Sequence, residues 1–167
     1  MAITPLVLLS TGRAQEKHPP FSVDINSFQH FKVGSTVPLV IHVKNISSSP
    51  IDLGLTKAFA FDFLFSVRDS EGEEPAQTPY YQAVQGKEEH KNPHLTVIPR
   101  WSSLPTSLSP GETLTLYADL ARLFDFKPGK YTVQLSRPDR HGSVWLQLPN
   151  DHGLVIASNT IWITMTP

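Results

Sequence analysis

The strongest constraint in this sequence is an apolar residue at every second position, repeated in six separate segments. Successive side chains of a β-strand point to opposite faces, so a period of two predicts strands with one buried and one solvated face. A helix would need apolar residues three and four positions apart. The segments therefore predict half-buried antiparallel strands. Their apolar members are Phe21, Val23 and Ile25; Val37, Leu39, Ile41 and Val43; Phe61, Phe63, Phe65 and Val67; Leu114, Leu116 and Ala118; Tyr131, Val133 and Leu135; and Ile161, Ile163 and Met165.

Turn signals separate these segments. Pro110-Gly111 and Pro128-Gly129 are turn dipeptides, in which Pro presets φ and Gly accepts a positive φ. Two longer stretches lack a clear period, and we expect one or two short strands within residues 73–109 and a strand at residues 143–148.

One stretch indicates helical structure. Asp119 can cap a turn in which Leu120, Leu123 and Phe124 share a face. It is too short to stand alone, so we interpret it as a crossover between two sheets.

Composition excludes several functions. The 167 residues carry a net charge of -1 with both signs scattered, so no basic stripe is present to bind a nucleic acid. The chain has no cysteine, which removes disulfides, thiolate nucleophiles and zinc-thiolate sites. No segment reaches the roughly 20 apolar residues of a membrane-spanning helix. An apolar fraction of 40% is that of a globular domain, which we place at residues 16–167.

The N-terminal 15 residues form a separate segment in this interpretation. The apolar run at residues 5–9 precedes Gly12-Arg13-Ala14, which has small residues where a signal peptidase would require them. The segment is either a truncated export signal or a disordered N-terminus. The first alternative predicts a periplasmic or extracellular protein, and the second leaves a cytoplasmic location open.

Three local patterns resemble bacterial immunoglobulin-like modules. They are the strand end and turn at residues 43–53, the strand entry at residues 109–114, and the strand start at residues 128–133. In the third pattern, Tyr131 is placed to bury its ring while its hydroxyl reaches the backbone upstream. The resemblance implies an all-β, antiparallel immunoglobulin-like sandwich of about seven to nine strands with one short crossover helical turn.

The order of these motifs over about residues 36–136 is also weakly similar to the bacterial intracellular proteinase inhibitor family. That resemblance would imply a sandwich whose loops plug a protease cleft. The sequence departs from the family in the long insertion after Gly72 and in the possible export signal. We carry over the fold and no inhibitory residue.

The residue patterns of catalysis and metal binding are missing from the sequence. His90 and His94 are four apart, but Pro93 between them breaks the helix that would align them. Gly142-Ser143 beside His141 lacks the Gly-x-Ser-x-Gly pattern of a nucleophile turn. We therefore predict no enzyme, no catalytic residue, no metal and no cofactor.

The aromatic residues are the remaining candidates for a binding site. Trp101 and Trp145 lie in the long stretches between strands, and Arg140 precedes Trp145 in a predicted protruding hairpin, where sandwich domains commonly bind. Trp162 alternates with Ile161 and Ile163, so it faces solvent or packs under a loop. We predict a non-catalytic module that binds a protein partner through long loops at Trp101, Arg140 and Trp145. A carbohydrate-binding sandwich and a proteinase inhibitor are the alternatives.

Overall fold

The computed structural model describes residues 19–56, 62–85, 103–104, 106–138 and 155–167. These residues form two sheets on either side of one apolar core, together with three two-stranded ribbons. The strands are β1 (Phe21–Asn26), β2 (His30–Lys32), β3 (Pro38–Asn45), β4 (Ile51–Asp52), β5 (Leu55–Thr56), β6 (Leu64–Asp69), β7 (Ala76–Gln77), β8 (Ser103–Leu104), β9 (Ser107–Leu108), β10 (Thr113–Asp119), β11 (Phe124–Asp125), β12 (Gly129–Pro138), β13 (Val155–Ala157) and β14 (Ile161–Thr166).

Sheet one consists of β1, β3 and β10, with β3 in the centre and both pairings antiparallel. The period of two is followed closely on β3, where Leu39, Ile41 and Val43 are fully buried. The residues between them, such as His42, form the outer face. A strand with partners on both sides and one buried face is the arrangement that alternating sequences favour.

Sheet two is built around β12. Strand β6 pairs with one side of β12. On the other side, β14 pairs with the first half of β12 and β13 pairs with its end, and all three pairings are antiparallel. The buried Val133 lies opposite Val67 of β6 and opposite Ile161 of β14. Strand β2 then extends the sheet by pairing with β14 in parallel.

The chain passes from sheet one to sheet two between β1 and β2. Strands β1, β3 and β10 correspond to strands A, B and E of the immunoglobulin fold, and β6, β12 and β14 correspond to C, F and G. The predicted fold class is therefore confirmed. Within the described residues, the eight strands of three residues or more agree with the predicted strand number.

Asn159, between β13 and β14, closes the outer side of β1. Its side-chain oxygen accepts the Ile25 N–H at 2.7 Å, and its side-chain nitrogen donates to the Ile25 carbonyl at 2.9 Å. The amide side chain thus takes the place of a peptide group in a neighbouring strand. Because residues on both sides of Asn159 belong to sheet two, these two hydrogen bonds also join the sheets.

Aromatic rings fill one end of the core. Tyr131 lies 5.0 Å from Phe126 between ring centroids, and its hydroxyl donates to the Lys127 carbonyl at 3.0 Å while accepting the Lys127 N–H at 3.2 Å. This hydrogen bonding confirms the predicted contact of Tyr131 with the upstream backbone.

A short helix, α1 (Pro79–Val84), corrects the prediction of strands alone for residues 73–109. Thr78 caps it by accepting the Tyr81 N–H at 3.2 Å, and Pro79 occupies its first turn. Six residues are too few to show a helical period. Short strands are also present, but there are three of them, β7, β8 and β9, where one or two were predicted.

The crossover turn is confirmed as a 3-10 helix (Leu120–Arg122). Asp119 caps it by accepting the Ala121 N–H at 3.1 Å. The predicted strand at residues 143–148, residue Phe61 and the boundary after residue 15 lie outside the described residues and stay predictions.

Asn45 lies where the pairing between β3 and β10 is interrupted. Beyond it the two chain segments resume pairing as the ribbons β4–β9 and β5–β8. The fully buried Asn45 side chain donates to the carbonyls of Ser49 and Leu108 at 2.9 and 2.8 Å. Its oxygen accepts from the backbone N–H and the hydroxyl of Ser47 at 2.9 and 2.8 Å. Both hydrogens and both lone pairs of the amide are therefore used.

We expect Asn45→Ala to lower the free energy of unfolding by about 2–4 kcal/mol, because it removes the Asn45 donor from the buried Leu108 carbonyl and empties a fully buried site. Urea denaturation measures the change. Asn26→Ala, at an exposed position on β1, is the matched control and should change the value by no more than about 0.5 kcal/mol. Equal losses in the two variants would show that the Asn45 hydrogen bonds do not stabilise the fold.

Candidate interaction site

The predicted binding residues Trp101, Arg140 and Trp145 lie outside the described residues. The structure therefore does not test them, and they stay predictions. The sequence predicts that Trp162 either faces solvent or packs under a loop. In the structure it lies at the surface.

Six large apolar side chains are exposed among the described residues. Three of them lie along one border of sheet two, on or next to β2 and β14. The six are Phe28, Val33, Ile46, Tyr117, Val155 and Trp162.

Trp162 is placed on the outer face of sheet two by the alternation of β14. Ile163 and Met165, which follow Trp162 by one and three residues, point into the core. The Trp162 side chain is 66% exposed. It lies opposite Thr132 of β12, which in turn lies opposite Arg68 of β6, so the three residues form one row across the sheet.

Phe28 precedes β2 and lies at the same level of the sheet. The Thr164 N–H donates to the Gln29 carbonyl at 2.7 Å, and His30 pairs with Thr164 in parallel register. Phe28 lies two residues before His30, and Trp162 lies two residues before Thr164, so both are at the same level of the sheet. The Phe28 side chain is 75% exposed.

Val33 lies at the other end of β2, where its N–H donates to the Thr166 carbonyl at 2.8 Å. We call Phe28, Trp162 and Val33 the apolar border of sheet two. An exposed Phe and Trp at one border are large, rigid side chains of the type that anchors interfaces.

Basic side chains surround the apolar border. His30 and Lys130 lie on either side of Thr164, and Lys32 lies beside Thr166. Arg68, at the far end of the Trp162 row, is 3.8 Å from the carboxylate of Glu74. Among the described residues, the outer face of sheet two therefore carries more cationic than anionic groups around its exposed aromatic residues.

Among the described residues, Arg137 is the largest fully buried side chain, and the sequence analysis missed it. It continues the inward alternation of Tyr131, Val133 and Leu135, and it is 1% exposed. Its Nη2 donates to the Leu53 carbonyl, and its guanidinium carbon lies 5.4 Å from the centre of the Phe63 ring. Extending the period of two by one further step on β12 would have located this residue.

The pKa of Arg137 is lowered mainly by burial, and the negative charge of Asp62 opposes the shift. Burial also raises the pKa of Tyr81, while hydrogen bonds with Gln85 and Phe65 act in the opposite direction. Both residues lie within the core, where they pack against aromatic rings. Their position fits a structural role better than contact with a substrate.

Two further observations concern the described ranges only. They contain no group of three or more His, Cys, Asp or Glu side chains that could hold a metal ion. No helix in them has the length and apolar character needed to cross a membrane.

Comparison with known proteins adds a distant structural likeness. No family model and no curated protein matches this chain. The chain is similar to the solution NMR structure of the CARDB domain of a Pyrococcus furiosus protein, at 14% identity and a TM-score of 0.40. The match covers 87% of this chain and 94% of that one. The resemblance to the proteinase inhibitor family gains no support, and the strand pairing itself defines the chain as an immunoglobulin-like β-sandwich domain.

We expect the stability of the protein to fall at alkaline pH through Tyr81. An unfolded tyrosine ionises near pH 10, whereas the folded Tyr81 ionises at a higher pH. The stability from this shift is fully present below about pH 10 and is lost as the pH rises through the folded pKa. Urea unfolding of the wild type and Tyr81→Phe from about pH 9 to about pH 11 measures it.

The free energy of unfolding should fall more steeply with pH in the wild type than in Tyr81→Phe. Tyr117→Phe, which removes an exposed tyrosine hydroxyl, should follow the wild type. Parallel curves for the wild type and Tyr81→Phe would contradict the assignment.

Proposed function

We propose that this chain is a non-catalytic module that binds a protein partner through the apolar border of sheet two. The observation that carries the proposal is the exposure of Phe28 and Trp162 at one border of the sheet. Burying two such aromatic side chains against a partner removes a large apolar area from water at little cost in side-chain entropy.

The charged residues around the border support a partner with an acidic surface. Lys32, Lys130 and His30 form a basic rim, and Arg68 lies across the sheet. A protein surface with an apolar patch and an acidic rim is complementary to this face. The loop residues Trp101, Arg140 and Trp145 stay part of the proposal as a second contact region.

The described ionisable groups support a role without catalysis. A catalytic acid or base needs a shifted pKa at a place that a substrate can reach. Arg137 and Tyr81, whose pKa values are shifted by burial, lie inside the core. Export to the periplasm or beyond is the second part of the proposal, and its support is the apolar run at residues 5–9.

A carbohydrate is the second candidate ligand, because Trp162 lies in a row with Thr132 and Arg68. A sugar can stack on an indole ring while hydroxyl and guanidinium groups bind its polar edge. The other exposed aromatic residue on a strand, Tyr117, lies on sheet one, so the described strands do not form an aromatic row on one face. This arrangement favours a protein partner.

The test uses the immobilised protein and an extract of the source organism, followed by binding measurements with the purified captured protein. Trp162→Ala and Phe28→Ala should each weaken that binding by about 30-fold, as expected for aromatic anchors. Ile46→Ala is the control, because it removes an exposed apolar side chain outside sheet two and should leave the affinity unchanged.

Lys32→Glu should also weaken binding, and more strongly at low salt, because the rim would then repel an acidic partner. Equal affinities for the wild type and Trp162→Ala would refute the assigned surface. A glycan array separates the alternatives: a signal that is lost in Trp162→Ala and kept in Phe28→Ala would support a carbohydrate instead of a protein.

A further inference from the structure

Among the described residues, the β10 strand is an edge of sheet one that lacks the usual protection. It pairs with β3 on one side and has no second partner strand among the described residues. Its sequence from Thr113 to Ala118 contains no charge, proline or glycine. The carboxylate of Asp119 at its end is engaged, because it accepts the N–H groups of Val37 and Ala121 at 2.8 and 3.1 Å. Natural proteins usually protect edge strands with such residues, because unpaired backbone groups can join another strand.

The other described edges are protected in ways that β10 is not. On the outer side of β1, the Asn159 side chain satisfies both backbone groups of Ile25. Strand β2 has three residues, and β6 ends in the charged pair Arg68 and Asp69. Within the described part of the chain, β10 is the long edge without a guard.

Hydrogen bonds at its two ends show which β10 residues face outward. The Asn45 N–H donates to the Glu112 carbonyl at 2.9 Å, and the Leu120 N–H donates to the Val37 carbonyl at 2.9 Å. In an antiparallel pair the bonded positions alternate, so the backbone groups of Leu114, Leu116 and Ala118 point toward β3. The backbone groups of Thr113, Thr115, Tyr117 and Asp119 therefore point away from β3.

These outward positions are self-complementary. When two β10 strands run antiparallel about a two-fold axis at Leu116, Thr115 lies opposite the partner's Tyr117, and Thr113 lies opposite the partner's Asp119. Every outward backbone group then faces another outward group, which is the hydrogen-bonding arrangement of an antiparallel ladder. A two-fold interface requires this kind of self-matching surface.

The side chains also fit a second copy. Leu114 and Leu116 point toward the core but are only half-buried. In the paired arrangement Leu116 meets the partner's Leu116, and Leu114 meets the partner's Ala118, so the inner faces of the two copies cover each other. On the outer face Tyr117, which is 69% exposed, packs beside the partner's Thr115.

We propose that two copies of this chain associate through β10 and form a continuous six-stranded sheet. The contact is separate from the apolar border of sheet two, which stays exposed in the pair. A single pair of strands buries less area than a permanent dimer does, so the association depends on protein concentration.

Sedimentation equilibrium from about 1 to about 500 µM tests the association directly. The mass should rise from 18.6 kDa toward twice that value. Tyr117→Lys places a charge at the strand edge and should raise the dissociation constant at least about tenfold. Ser66→Lys, which adds the same charge to an exposed position of β6, is the matched control and should behave like the wild type.

Cross-linking tests the register. The chain has no cysteine, so Leu116→Cys introduces a single thiol on the two-fold axis, close enough to the partner's thiol to form a disulfide. Thr113→Cys is the control, because in this register the two thiols lie far apart. Leu116→Cys should cross-link on mild oxidation and Thr113→Cys should not, with circular dichroism to check that both variants fold.

Three results would overturn the proposal. The first is a mass of 18.6 kDa at every concentration. The second is a dimer that Tyr117→Lys does not weaken, or that Thr113→Cys cross-links as readily as Leu116→Cys. The third is slow exchange of the Thr115 and Tyr117 amides in dilute protein, which would mean that the same chain already covers this edge.

Discussion

The fold depends on pairing the backbone groups of its two central strands on both sides. Strand β3 lies between β1 and β10, and β12 lies between β6 and the β13–β14 segment. A buried backbone group without a partner costs about as much as a lost hydrogen bond, so a strand in the interior of a sheet needs a neighbour on each side. With these two strands fully paired, their inward side chains can meet in a dry core.

Side chains complete the pairing where the strands cannot. Asn45 supplies hydrogen bonds at the break between β3 and β4, and Asn159 takes the place of a strand beside Ile25. An amide side chain suits both positions because it carries the same donor and acceptor as a peptide group. The two asparagines thus bind backbone groups at positions where no neighbouring strand does so.

The same reasoning separates the two surfaces proposed for binding. The apolar border of sheet two presents side chains, with Phe28 and Trp162 as anchors and a basic rim around them. The outer side of β10 presents backbone groups, and the exposed Tyr117 adds a side chain. One surface fits a partner of complementary charge and shape, and the other fits a second strand.

Much of the fold could be predicted from the sequence, because alternation is a local property. It located the six main strands and the inward face of each, and the turn before Tyr131 indicated its backbone contact. Helix α1 was missed because six residues are too few to show a helical period. Thr78 and Pro79 are nevertheless typical of the start of a helix.

The long-range contacts could not be predicted in this way. The partners of Asn159 and Arg137 are 134 and 84 positions away in the chain, so nothing near either residue indicates its role. Phe28 was missed as a site residue for the same reason, since its place beside Trp162 depends on the parallel pairing of β2 with β14. The predicted loop residues Trp101, Arg140 and Trp145 stay untested.

Amide hydrogen exchange measured by NMR in dilute protein tests the central claim most directly. If β3 and β12 are the paired centres of two sheets, their amides should exchange slowly without a break along each strand, apart from Pro38 and Pro138, which have no N–H. On β10 the protection should alternate, slow at Leu114 and Leu116 and fast at Thr115. Fast exchange at every second residue of β3 or β12 would show that the strand is an edge and would contradict the two-sheet account.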